Sequence, residues 1–171
     1  KNKHLIIKKP MEKLNNPYSN LEGYNCFGCS PFNKKGLHLD FFKDGDEIVT
    51  FWEPGEDFQG WVNVLHGGIQ TTLMDELASW VVFIQCESSG VTANLNIKFK
   101  KPVHTKNEKL TIRGHLKSME KRIAHIHVKL YNSEDEVCTE GEIDYFVYPE
   151  KIARERFYYQ GLDAFLPDKS H

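Results

Sequence analysis

From Gly36 onward the chain alternates apolar and polar residues in short runs broken by turn residues, a rhythm of strands. GLHLDFF and EIVTFW are separated by KDGD, whose Asp44-Gly45 pair predicts a tight hairpin. A Gly- and aromatic-containing loop, GEDFQGWVNVLHGG, then leads into a single long helical pattern over residues 68–87. Strand-like stretches follow at 91–103, 109–118, 122–131 and 137–147, and ARERFYYQG predicts a final helical turn ending at Gly161. In the first of these strands Val91, Ala93, Leu95, Ile97 and Phe99 form an apolar face, and the residues between them are polar. A hairpin centred on Met119-Glu120-Lys121 would pair Leu110 with Leu130, Ile112 with Val128, Gly114 with Ile126 and Leu116 with Ala124. Arg113 and His127, with His115 and His125, would then occupy the opposite face. The order β-β-α-β-β-β-β with short connections predicts an α+β fold, an antiparallel sheet wrapped around one long helix. Residues 1–24 read as a tail or extended lead-in, 25–149 as the domain, and 150–171 as a short helix and tail.

Composition narrows the class. The 171 residues include 22 Lys and Arg against 24 Asp and Glu, a formal charge of −2 that gives no general attraction to nucleic acid or anionic membranes. No apolar run is long enough to span a bilayer. Cys26, Cys29, Cys86 and Cys138 read as reduced thiols, which makes the cytoplasm the expected compartment.

The helix carries the chemistry. GIQTTLMDELASWVVFIQCE has no Lys or Arg, and Ile69, Leu73, Leu77, Trp80 and Ile84 form an apolar stripe that Met74, Val81, Val82 and Phe83 widen. Such a helix should be enclosed, yet Asp75 and Glu76 stand in its middle, where an unpaired carboxylate is costly. Asp75 shares its sector with Gly68, Thr71, Thr72, Ala78 and Ser79, small residues that admit a ligand or a second helix. Burial raises a carboxyl pKa and strengthens it as a base, so Asp75 is the candidate catalyst. Glu76 falls in another sector and reads as a satisfied structural acid. Before the helix, His66-Gly67-Gly68 bares backbone N–H groups that suit a carbonyl oxygen gaining charge during acyl transfer.

HGGIQTTLMDE, with Asp75 nine positions after His66, resembles the signature of hotdog-fold acyl-CoA thioesterases of the PaaI-like group. VTANLNIKFKKPV resembles that group's central strand, and CFGCSPFNKKGLHLDF its lead-in. The resemblance implies thioester hydrolysis of an acyl-CoA at a dimer interface, with sheets joined edge to edge and dimers often paired into tetramers. It implies that Gly67 or Gly68 donates to the thioester carbonyl and that the partner subunit's Asp75 acts as base or nucleophile. It gives His66 a role in shaping the loop or polarising the carbonyl, and Thr92 a role in orienting water. Some relatives carry Asn six residues before the histidine, where this chain has Gly60 beside Gln59. Gln59, Gly60, Trp61 and Asn63 are the expected substrate contacts in that loop, with Lys100 and Lys101 placed to grip CoA phosphates. The competing functions are a non-catalytic acyl-CoA-binding sensor and a hotdog hydratase or dehydratase. No cofactor is expected, and neither Cys26-x-x-Cys29 nor the His125-x-His127 face has the further ligands that a metal site requires by spacing alone.

Overall fold

The structure, a computed structural model, describes residues 10–168. One antiparallel sheet of seven strands carries the fold. In chain order the strands are β1 (Glu12–Lys13), β2 (Phe41–Asp44), β3 (Glu47–Trp52), β6 (Gly90–Phe99), β7 (Leu110–Glu120), β8 (Ile123–Tyr131) and β9 (Val137–Val147). Across the sheet the order is β1-β2-β3-β7-β8-β9-β6, so β6 is an outer edge. A separate two-stranded ribbon, β4 (Gln59–Trp61) and β5 (Val64–Leu65), forms within the loop before the helix. The hairpin expected at Asp44-Gly45 joins β2 to β3, with Asp44 opposite Glu47.

The helix α1 (Gly67–Gln85) lies against the inner face of this sheet. Leu73, Met74, Leu77, Val81 and Val82 are fully enclosed there, as their stripe predicts. At Gly114 of β7 an added Cβ would lie 2.7 Å from Leu77 Cδ2, so the helix sits closer to the sheet than a larger residue permits. Beyond the middle of α1, Trp80 stacks on Phe41 at 4.4 Å between ring centroids and meets Phe165 edge-on at 5.7 Å.

That aromatic cluster extends the body past the boundaries expected from sequence. Leu14 and Tyr18 are buried, β1 pairs with β2, and Asn15 N–H donates to Phe165 O, so the lead-in from Glu12 and the segment around Phe165 pack together. The part of the expected tail at residues 1–9 lies outside the described residues. The second helix, α2 (Glu150–Phe157), ends at Tyr158 rather than Gly161, because Tyr158 adopts the left-handed conformation at φ 56° and caps the helix through its N–H to Ala153 O.

Two strand expectations are corrected. In the β7–β8 hairpin Gly114 stands opposite Val128 and Leu116 opposite Ile126, two residues from the expected pairing. The turn is shorter than expected, at Lys121-Arg122, and an extra residue is taken up between Leu116 and Ser118. A shift of two preserves facing, so the apolar set still points at α1 and His115 now faces His127. In β6 the alternation is broken at Ala93. Thr92 stands opposite Tyr145 and Asn94 opposite Asp144, leaving Ala93 as an extra residue. Thr92 therefore shares the helix-facing side with Leu95, Ile97 and Phe99, and Val91, opposite Phe146, turns away. The apolar face expected to be covered is open in the single chain, where Leu95 is 40% and Phe99 54% exposed.

Candidate active site

His66 caps α1, its Nδ1 accepting the Gly68 N–H at 2.9 Å. That bond fixes the tautomer, leaving the proton on Nε2 as a donor. It also separates the two glycines. Gly68 is engaged by His66, while the Gly67 N–H has no partner among the described residues. Of the pair, Gly67 is the one free to bind an oxygen. A cleft of about 560 Å³ opens at this helix mouth and is lined by Gly60, Trp61, His66, Gly67, Gln70 and Phe99, with the 100–102 segment closing one side.

The expected substrate contacts divide. Gly60, Trp61, Lys100 and Lys101 line the cleft, and Trp61 stands 82% exposed at its rim. Gln59 and Asn63 do not line it. Asn63 N–H donates to Gln59 Oε1, and Asn63 Oδ1 accepts from Thr105 Oγ1 and Lys106 N–H, so their polar atoms hold the turn and the 104–106 loop together. Lys100 is ion-paired with Glu140 and Lys101 with Glu136. Both pairs are largely exposed, the class of interaction worth about 0–1 kcal/mol, so either lysine can exchange its carboxylate for another anion at little cost.

Asp75 sits two turns inside α1, under β6. Thr92 Oγ1 donates to Asp75 Oδ1 at 2.8 Å, and Tyr145 Oη lies 2.8 Å from the same oxygen and 2.9 Å from the Asp75 carbonyl. Both hydroxyls converge on Oδ1, and Oδ2 has no partner among the described residues. Burial, followed by the nearby Asp75 charge, pushes the Tyr145 phenol well above its ordinary range, so it stays protonated as a donor. Asp75 itself is only half-buried in one chain. It lies eight residues from Gly67, about 12 Å along the axis, so one chain does not bring its own acid to its own helix mouth.

The neighbour of Asp75, also partly buried, faces different surroundings. Glu76 points toward the lead-in, where Cys26 Sγ lies 3.4 and 3.6 Å from its two oxygens. Burial above all, reinforced by the charge of Cys26, pushes the Glu76 carboxyl up to about 8. Hydrogen bonding from Cys29, with the N–H groups of Cys29 and Gly28, holds the Cys26 thiol below its usual range.

Sequence reasoning did not single out two residues of the site. Tyr145 lies on the inward register of β9, two residues from the enclosed Ile143, and that alternation was its available signal. Gln70 is buried on the first turn of α1, where its amide donates to Leu65 O and accepts from Thr139 Oγ1 at the cleft wall. On the outer sheet face, His125 hydrogen-bonds Asp144 at 2.6 Å and His127 hydrogen-bonds Glu140 at 2.9 Å, so those rings belong to a lattice of polar contacts with the acids of β9.

Comparison with known proteins bears on the fold that carries these residues. A model of the thioesterase superfamily matches residues 62–139, which hold α1 and the three strands after it. An uncharacterised protein of Schizosaccharomyces pombe is 30% identical over 122 residues, 66% of this chain and 66% of its own. The acyl-coenzyme A thioesterase THEM4 of Bos taurus is 38% identical over 71 residues, 40% of this chain and 28% of its own. The chain thus spans less than two thirds of each of these curated relatives. A hypothetical thioesterase of Streptococcus pneumoniae, solved with coenzyme A, superposes with a TM-score of 0.58 at 22% identity over 61% of this chain and 83% of that one. With its sheet wrapped on the matched helix, the chain has the hotdog fold, and its residues 62–139 are similar to the thioesterase superfamily.

Proposed function

We propose that the protein is an acyl-CoA thioesterase working as a homodimer, or a dimer of such dimers, with each site shared between two chains. The observation that carries this reading is the placement of Asp75, a carboxylate with one oxygen held by two hydroxyls and the other open, beneath an uncovered edge strand. Pairing β6 with β6 of a second copy would cover Leu95 and Phe99 and satisfy the free edge. It would also carry each Asp75 toward the other chain's helix mouth, which supplies what the 12 Å separation within one chain denies.

In this reading the thioester carbonyl rests on the Gly67 N–H. The partner subunit's Asp75 takes a proton from water through Oδ2, and the water oxygen adds to the carbonyl carbon. The resulting oxyanion is held by Gly67 at the positive end of α1. The C–S bond then breaks, and the CoA sulfur leaves with the proton returned from Asp75. Thr92 and Tyr145 keep the carboxylate oriented, and His66 Nε2–H stands at the cleft as a second donor. Lys100 and Lys101 at the cleft wall suit the CoA phosphates.

Complementation between two dead variants tests both chemistry and sharing. Gly67→Pro removes the N–H at the first helical position, where proline is tolerated. Asp75→Ala removes the acid. Each alone should fail to release thiol from a panel of acetyl-, medium-chain, long-chain and aryl-CoA esters. Refolded together they should recover about a quarter of wild-type sites, since half of random dimers carry one intact site of two. A mixture as inactive as its components rejects the shared site, undiminished turnover by Asp75→Ala rejects Asp75 as the acid, and wild-type protein that releases thiol from none of the esters rejects the activity.

A further inference from the structure

We propose that Cys26, Cys29 and Glu76 form a binding site for a divalent zinc-like ion, with its fourth coordination position facing a cavity of about 370 Å³. The three residues come from segments 50 positions apart, a tight turn in the lead-in and the middle of α1. Their donor atoms all lie within 4.8 Å of one another. The 3.4 Å between Cys26 Sγ and Glu76 Oε1 compares with about 3.5 Å expected between a sulfur and an oxygen on one tetrahedral zinc. Two thiolates and a carboxylate select a borderline-soft cation over magnesium or calcium, which prefer all-oxygen sites.

The surroundings are arranged around these donors. At Gly28, between the cysteines, an added Cβ would stand 2.4 Å from Glu76 Cδ, so only glycine lets the carboxylate enter the turn. Asn16 Nδ2 donates to Cys29 O at 3.1 Å and to Tyr24 Oη at 3.2 Å, and Tyr24 Oη lies 2.9 Å from Cys29 Sγ. Arg156 lines the same cavity, but among the described residues no basic side chain pairs with Glu76. Tyr18 and Ser89 also line this cavity, and their buried hydroxyls have no partner among the described residues. A simple disulfide between the cysteines would need neither the carboxylate nor the glycine that admits it.

The test uses the full chain, freshly reduced and stripped of metal, then given zinc and passed through gel filtration. The expected result is one zinc ion retained per chain and a thermal midpoint raised by zinc. Cobalt in place of zinc should give the ligand-field spectrum of a tetrahedral thiolate site. Cys26→Ser and Cys29→Ser should abolish retention, and Glu76→Gln should weaken it by more than about tenfold in competition with a chelator. Cys86→Ser and Cys138→Ser should leave it unchanged. Wild-type protein that retains no zinc, or retention unaffected by substituting Cys26 and Cys29, overturns the site. Should a cysteine variant fail to fold, the wild-type cobalt spectrum still decides, since bands without thiolate character also overturn it.

Discussion

Asp75 and Glu76 are the same functional group on adjacent residues of one helix, yet they face different surroundings. A step of about 100° around the helix sends Asp75 beneath the outer strand and Glu76 into the lead-in turn. Asp75 meets hydroxyls, which donate one hydrogen bond each and leave the second oxygen open. Glu76 meets thiols, in a place enclosed enough to keep its proton up to about pH 8. The difference teaches that the side chain alone does not decide what an acid in a greasy helix does. Neighbours that donate hold a carboxylate ionised, whereas acidic neighbours in an enclosed place keep it protonated unless a cation displaces the protons.

Substitutions at the two positions should separate these roles. The largest effect is expected for Asp75→Asn, which keeps shape and loses the base. Turnover of acyl-CoA should fall about a thousandfold or more, close to 4 kcal/mol of barrier, in steady-state thiol release. Equal rates in wild type and variant would remove the functional half of the contrast. On the other side of the helix, Gly28→Ala forces a methyl group against the Glu76 carboxylate. Urea denaturation should report a loss of about 1–3 kcal/mol, typical of overpacking, and an unchanged midpoint would show that the turn is loose.

Tyr145→Phe should be milder, because Thr92 still holds the same oxygen. A donor to a charged group is worth about 1.5–3 kcal/mol, so kcat should drop roughly tenfold, with less change in KM. Thr92→Val added to Tyr145→Phe should cost more than the two single effects combined, as Asp75 Oδ1 then loses both donors. The smallest effect concerns a third carboxylate, Glu140, which has the cations that the other two lack. Its contact with Lys100, followed by that with His127, lowers its carboxyl to about 2. A carboxyl depressed in the folded state stabilises above its ordinary value near 4.5 and loses that contribution as pH falls toward 2. Glu140→Gln should therefore cost under about 1 kcal/mol at neutral pH, and the difference from wild type should vanish in strong acid. A difference that persists there would mean that Glu140 acts through packing.

Much of this was legible before any coordinates. The helix, its acid and the glycine pair at its mouth are local patterns, and hydrophobic periodicity reports such elements directly. The antiparallel order followed from short connections. The register of β7 on β8 was not legible, since a two-residue slip preserves which side chains face inward, and that facing is the only signal the pattern carries. Tyr145 escaped notice because a tyrosine in an alternating strand looks like core until a helix is laid across it. The pairing of Glu76 with Cys26 was out of reach for a different reason. Half of that cluster comes from the turn at residues 26–29, far from α1 in sequence, and the chain leading to it is held down by aromatic packing around Trp80 and Phe165. Long-range packing of this kind leaves no periodic trace.

The inserted Ala93 has a consequence for how the edge tolerates change in length. Counted in steps of two from Phe99, β6 never arrives at Thr92, and it is the bulge absorbing Ala93 that keeps the hydroxyl across from Tyr145. Excising Ala93 would seat Thr92 directly before Asn94, still across from Tyr145, with the remainder of the strand undisturbed. The edge strand can thus lose that residue while the hydroxyl stays against the acid, so its length there and the orientation of the acid are not tied together.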